Sequence, residues 1–205
     1  MCWSATADLV AGAGIATVGV ACVTRVRAAR DLPLAALPLL LGAHQLVEAA
    51  VWDAGGGGGP ATVAWAVIAL PLLAVWVPAG VWCAAPPSAR RGSGLLLAVG
   101  VVTAAGLAHG LAVGPVTAEI RGHTIGYATH LAHPVPLIAG YLLATIGSLL
   151  MSGDRRLLVL GIFVAVGALA CWALWRLEFV STWCAFAAVC SVLLLGWVRA
   201  RPARR

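Results

Sequence analysis

The chain has 205 residues, of which 62% are hydrophobic and 10% are charged, and its formal net charge is +6. This small number of charged residues could not cover the surface of a soluble domain of this size, so the composition excludes a water-soluble globular protein. It predicts instead an all-α, polytopic membrane protein. All 13 basic residues are arginine. The absence of lysine excludes a retinal-binding protein of the rhodopsin type, which needs a lysine for its Schiff base.

Apolar segments long enough to cross a bilayer follow one another along the whole chain. They predict a single seven-helix membrane domain over residues 1–205, which ends in a basic cytoplasmic tail over residues 199–205. Ser4 is expected to cap the first helix, and Pro71 and Pro78 are expected to kink the third. The glycines at positions 55–59 indicate a flexible outer linker. The predicted spans are residues 7–24, 32–52, 60–84, 94–113, 134–151, 157–175 and 179–198.

The arginines predict how the bundle is oriented. Eleven of them follow the first, third, fifth and seventh helices, whereas Arg121 and Arg176 lie on the opposite side. By the positive-inside rule, the protein is a multi-pass protein of the cell membrane with its N-terminus outside and its C-terminus in the cytoplasm. The positive charge therefore indicates topology, and no nucleic-acid partner is expected. Asp31 and Asp154 lie beside inner arginines and are interpreted as members of solvated ion pairs.

The second predicted span contains two ionisable side chains at membrane depth, in the stretch His44-Gln45-Leu46-Val47-Glu48. Their i, i+4 spacing places both on one face of a helix. Ionisable residues inside a membrane are costly and by default mark a functional site. The pair therefore predicts such a site. The alternative is a buried carboxyl–imidazole hydrogen bond that only joins two helices.

The other histidines also fall in the outer half of the predicted bundle. His109 lies in the fourth span, and the segment after it holds His130 and His133, which share one helical turn if that segment is helical. His123 is interpreted as an exposed loop histidine. Imidazole and carboxylate groups together suit a divalent transition metal, with zinc or iron favoured. The predicted metal ligands are His44, Glu48, His109, His130 and His133.

The cysteines divide between the two sides of the predicted bundle. Cys2 and Cys184 both fall at the outer surface, where an oxidising environment permits a disulfide between them. Cys171 lies near the same level and is a rival partner. No Cys-x-x-Cys motif is present, which disfavours a redox-active pair. Three cysteines are expected to pack as small hydrophobic residues: Cys22, Cys83 and Cys190.

Three stretches carry a distinctive pattern: Met1-Cys2-Trp3-Ser4-Ala5, Gly42-Ala43-His44-Gln45-Leu46-Val47-Glu48 and Ser181-Thr182-Trp183-Cys184-Ala185-Phe186-Ala187-Ala188. Through these stretches the chain resembles a family of small uncharacterised bacterial multi-pass membrane proteins over most of its length. That resemblance implies the seven-span architecture but no activity. In its span count and buried histidines the chain is also similar to the alkaline ceramidase superfamily of membrane zinc hydrolases. The helix-borne His-x-x-x-His pair of that superfamily is replaced here by His44-x-x-x-Glu48.

Three hypotheses about function follow, and the first is preferred. It is a metal-binding membrane protein that acts as an enzyme on a lipid or small amphiphilic substrate at the outer face, with metal-bound water as nucleophile and Glu48 as ligand or general base. The second is a proton or metal-ion transporter that uses His44, Glu48 and His109. It lacks a visible internal repeat and a continuous polar path to the cytoplasm. The third is a non-catalytic scaffold with a structural His–Glu pair. Haem ligation by His44 and His109 is a minor variant, and the oligomeric state is left open.

Overall fold

The computed structural model describes residues 4–174 and 179–201, with the side chains of residues 171–185 excepted, and most of this part of the chain is helical. Two short strands, β1 (Val116–Arg121) and β2 (Thr124–Thr129), pair as an antiparallel hairpin. The helices are α1 (Ala5–Val23), α2 (Leu32–Ala35), α3 (Leu37–Asp53), α4 (Pro60–Val67), α5 (Leu73–Ala84), α6 (Arg90–Val113), α7 (Pro134–Leu142), α8 (Ser148–Leu150), α9 (Arg155–Leu174) and α10 (Phe179–Ala200).

The predicted helical architecture is confirmed, and several of its helices could span a membrane. Each of the seven predicted spans corresponds to a helical segment whose ends lie within a few residues of the predicted ones. Within the described residues, four segments are long and apolar enough to cross a membrane. Ser4 caps α1 as predicted, since its hydroxyl accepts a hydrogen bond from the Ala7 N–H at 3.2 Å. The four long segments are Ala5–Val23, Ala29–Asp53, Pro60–Ala84 and Arg90–Val113.

The third predicted span is interrupted by a π-helical turn, Ile68–Leu72, which contains Pro71. Proline cannot donate the usual helical hydrogen bond, so a local widening of the helix is an expected response. A second π-helical turn, Leu143–Gly147, joins α7 to α8. The Tyr141 hydroxyl links the two interrupted helices by donating a 2.9 Å hydrogen bond to the Ala69 carbonyl.

Helices α1 and α3 run antiparallel and approach so closely that their backbones nearly touch. A Cβ atom at Gly19 would lie 2.7 Å from the backbone nitrogen of Leu39, and a Cβ atom at Gly42 would lie 2.8 Å from that of Ala16. Small residues at such contacts let membrane helices gain packing and backbone proximity that larger side chains would prevent. These contacts also determine which residues of the two helices lie at the same depth.

The segment between α6 and α7 forms a hairpin, so the condition that it is helical, under which His130 and His133 would share a turn, is not met. Gly122 and His123 form the two-residue turn, in which Gly122 has a φ of +62°. Such a Gly-X turn, flanked by alternating buried and exposed residues, favours a hairpin. Buried residues of the hairpin pack with α3 and α4 in one cluster: Val51, Trp65, Ala66, Val116, Ala118 and Ile125.

The glycine-rich segment after α3 is also ordered, which corrects its interpretation as a flexible linker. Gly57 forms an antiparallel bridge with Ala118 of β1, with N···O distances of 2.7 and 2.9 Å. Positive φ angles at Gly55, Gly56 and Gly57 turn the chain towards the hairpin. A Cβ atom at Gly56 would lie 2.6 Å from the carbonyl oxygen of Ala118. The glycines therefore let the backbone add to the edge of the hairpin.

At the opposite end of the bundle, Arg201 joins the ends of four helical segments. Its guanidinium forms a two-pronged ion pair with Asp31, at 2.6 and 3.2 Å, and donates to the Ala84 carbonyl at 2.8 Å. It also lies 3.6 Å from Asp154, which accepts a hydrogen bond from the Trp197 indole. Both acids lie in ion pairs with Arg201, as predicted, but Asp31 is buried, so its interpretation as part of a solvated pair is wrong.

Candidate functional site

The pair His44 and Glu48 lies on a buried stripe of α3. The exposed fraction is 7% for His44 and 0% for Glu48. Trp52 lies one turn beyond Glu48, so the three side chains follow one face of the helix at i, i+4 and i+8. The sequence spacing thus identified a face that the fold turns towards the protein interior.

Asp8 of α1 adds a second buried carboxyl group to this stripe. It is 0% exposed, and its Oδ2 accepts a 2.9 Å hydrogen bond from the Trp52 indole. In the register of α1 and α3, Gly19 lies beside Leu39, and each step up α1 is matched by a step down the other helix. Asp8 is therefore level with the residues just after Glu48.

Asp8 was not among the residues that the sequence predicted for the site. The signal that could have found it is the one that identified Glu48, namely an acidic residue inside an apolar span. What the sequence could not supply was the register of α1 against α3, which brings the two carboxyl groups into the same part of the bundle.

The hairpin of β1 and β2 covers the site. The Tyr127 hydroxyl on β2 donates a 3.3 Å hydrogen bond to Oε1 of Glu48. The Tyr127 ring stacks on Trp65 of α4, with ring centres 3.4 Å apart and planes 3° apart. Trp65 in turn lies against His44, with ring centres 5.0 Å apart. The Trp65 ring therefore lies between the Tyr127 ring and the His44 imidazole and contacts both of them.

The His44 imidazole has one nitrogen that is enclosed by the fold. Within the described residues, its Nε2 is buried and makes no hydrogen bond. A buried polar atom left in this state costs free energy, so such atoms are uncommon and call for an explanation. An unprotonated Nε2 can accept a proton or act as a metal ligand, and both possibilities agree with a functional role for this side chain.

The predicted metal ligands do not converge. His109 is exposed on α6, His130 is exposed after β2, and His133 is exposed just before α7, while only His44 and Glu48 are buried. In the described parts of the chain, no group of three histidine, cysteine, aspartate or glutamate side chains is arranged to hold a metal. The predicted histidine cluster and metal site are therefore not supported in this part of the chain.

The predicted Cys2–Cys184 disulfide lies outside the described residues and stays a prediction, as does the rival partner Cys171. Of the other three cysteines, Cys22 and Cys190 are buried in the main apolar cluster, as expected for small hydrophobic residues. Cys83 is partly exposed, and none of these three forms a disulfide.

The comparisons with known proteins concern the whole chain. No curated protein and no solved structure matches it. The similarity to the alkaline ceramidase superfamily therefore gains no support, whereas the resemblance to an uncharacterised family is confirmed. The model of a family of unknown function, DUF6629, matches residues 1–205, so the chain belongs to that family.

Proposed function

We propose that the protein is a proton-coupled membrane protein whose working site is formed by Asp8, His44 and Glu48. The observation that carries the proposal is the burial of these three ionisable side chains in one part of the bundle interior. Chains of aspartate, glutamate and histidine that face the interior of a membrane bundle mark proton relays and ion pathways. Among the three hypotheses this is the transporter class, with the proton as the transferred ion.

The chemistry required of the site is a single proton transfer. The protonated carboxyl group of Asp8 or Glu48 loses its O–H proton. The lone pair of His44 Nε2 accepts this proton and forms an N–H bond. The products are a carboxylate and an imidazolium, which attract each other inside a low-dielectric interior. The Tyr127 hydroxyl, at 3.3 Å from Glu48, supplies a hydrogen bond that stabilises the carboxylate after transfer.

Polar groups in the other half of the bundle support a route beyond the site. Thr145, Ser148 and Ser152 are buried on the α7–α8 segment, which leads to Asp154 at the arginine-rich end. Their hydroxyls are hydrogen-bonded locally, for example from Thr145 to the Tyr141 carbonyl at 2.7 Å. The transporter hypothesis lacked a continuous polar path to the cytoplasm. These buried hydroxyl groups supply part of such a path, because a hydroxyl group can both donate and accept a hydrogen bond.

The proposal is tested by proton flux into liposomes that contain the purified protein and a pH-sensitive dye. Glu48→Gln and Asp8→Asn are expected to reduce the flux to that of protein-free liposomes, because an amide cannot release a proton. Gln can still accept the Tyr127 hydrogen bond, so the helical circular dichroism should be retained. The matched control is Glu119→Gln, which removes a carboxylate that is 68% exposed on β1 and should leave the flux unchanged.

Two results would contradict the proposal. One is a wild-type protein with no flux above that of empty liposomes under an imposed pH gradient. The other is a Glu48→Gln variant that conducts as well as the wild type, since a purely structural Glu48 would give that result. Metal analysis of the same preparation adds an independent criterion, because one equivalent of tightly bound metal would restore the metal hypothesis.

The proposed orientation has the N-terminus outside, seven spans and a cytoplasmic C-terminus. It rests on the arginine asymmetry and on the common end of the bundle at which Asp31, Ala84, Asp154 and Arg201 meet. We expect a green fluorescent reporter fused after Arg205 to be bright and an alkaline phosphatase fused there to be inactive. An active phosphatase would reverse the orientation and place the Glu48 site at the cytoplasmic side.

A further inference from the structure

A cavity of about 340 Å³ opens at the arginine-rich end, between the start of α9 and the end of α10. Arg155, Arg156 and Arg201 line it, together with Asp154 and Trp197. It lies at the opposite end of the bundle from the Asp8–His44–Glu48 site. Binding at this cavity is therefore independent of the proton transfer proposed for that site.

The charged side chains around the cavity differ in whether they form ion pairs. Asp154 is already shared between Arg201, at 3.6 Å, and the Trp197 indole, at 3.1 Å. Arg201 is in turn held by Asp31. Arg156 donates to the Gly196 carbonyl at 3.0 Å, which holds its guanidinium beside α10. Arg155 is exposed and forms no ion pair within the described residues. The lining therefore keeps a net positive charge that has no acidic partner of its own.

The position of the cavity suits a membrane interface. The helices α9 and α10 are apolar from this end onwards, and the cavity lies among arginines that follow the fifth and seventh predicted spans. Basic pockets between membrane helices on the cytoplasmic side bind lipid headgroups through their phosphates. Guanidinium groups suit this task because their N–H donors match the phosphate oxygens in pairs.

We propose that this cavity binds the phosphate of an anionic phospholipid headgroup, with Arg155 and Arg156 as the principal donors. Arg201 shapes the wall, since its guanidinium is held by Asp31 and Asp154. A phospholipid headgroup and a free phosphate ion would both be bound through their phosphate oxygens. The lipid is chosen over free phosphate because the cavity opens between two apolar helices whose length provides a surface for acyl chains.

The test is native mass spectrometry of the full-length protein in detergent, with phosphatidylglycerol or phosphatidylcholine of identical acyl chains added. Wild-type protein should retain phosphatidylglycerol in preference to phosphatidylcholine. Arg155→Gln/Arg156→Gln should weaken phosphatidylglycerol binding roughly 30-fold, since each juxtamembrane arginine contributes about fivefold. The matched control is Arg25→Gln/Arg91→Gln, which removes the same charge from the same end but none from the cavity, and should retain the wild-type affinity.

The alternative outcomes each overturn the proposal. Equal losses in the two double variants would indicate a general surface potential instead of a site. Unchanged binding in the Arg155→Gln/Arg156→Gln variant, with its helical circular dichroism intact, would exclude these arginines as donors. Displacement of the lipid by millimolar inorganic phosphate would identify a site for the free anion.

Discussion

Replacing Arg201 with alanine is expected to lower the free energy of unfolding by about 3–5 kcal/mol, the cost of breaking a buried ion pair by removing one partner. The side chain of Asp31 is 5% exposed and that of Arg201 is 19% exposed, and they meet at 2.6 Å. Without the guanidinium, the Asp31 carboxylate and the Ala84 carbonyl lose hydrogen bonds that water cannot readily replace. The end of α10 would then lose its attachment to the segments before α2 and after α5.

The measurement is an unfolding titration with sodium dodecyl sulfate in mixed micelles, followed by circular dichroism. Arg199→Ala is the matched control, because it removes the same charge from an exposed position two residues earlier on α10. It should change the stability by no more than about 0.5 kcal/mol. The double variant Arg201→Ala/Asp31→Ala should recover part of the loss. Equal effects of Arg201→Ala and Arg199→Ala would show that the ion pair contributes nothing to stability.

Replacing Gly19 with alanine is expected to destabilise the protein by about 1–3 kcal/mol, the usual cost of overpacking. The new Cβ would lie 2.7 Å from the Leu39 backbone nitrogen, and a backbone atom cannot move away as the end of a side chain can. Helices α1 and α3 would have to separate. Gly42→Ala should act similarly, because its Cβ would meet the backbone of Ala16 at 2.8 Å.

The control for this prediction lies on the same helix. Gly14 is exposed on α1, and a Cβ atom there would meet nothing within 4 Å. Gly14→Ala should therefore be neutral, or stabilise α1 by up to about 1 kcal/mol through its better helix propensity. The same detergent titration compares the variants. A loss of stability in Gly14→Ala equal to that in Gly19→Ala would assign the effect to the helix alone and not to its contact with α3.

Separation of α1 from α3 would also disturb the candidate site. Asp8 reaches Trp52 only because the two helices share one register. The Gly19→Ala variant is therefore expected to lose proton flux together with stability, whereas Glu48→Gln should lose flux alone. This difference separates a defect in the site from a defect in the bundle.

The helical content and the buried polar pair could be read from the sequence, because both depend on local properties. A span of apolar residues is favourable in lipid wherever it stands in the fold. The i, i+4 spacing of His44 and Glu48 determines a common face before any neighbour is known. The same property explains the third helical segment, Pro60–Ala84, which is long and apolar enough to cross a membrane.

The partners of that face were decided only by the tertiary structure. Asp8 lies near the level of Glu48 because close contacts at the glycines of α1 and α3 select one register. Tyr127 contacts Glu48 because a Gly-X turn folds the chain back as a hairpin that packs on α4. His109 was expected at the site because it lies in a span, but the rotation of α6 leaves it exposed. Composition determines that a helix enters the membrane. Its rotation and its neighbours depend on packing between segments far apart in the chain, and no local pattern contains that information.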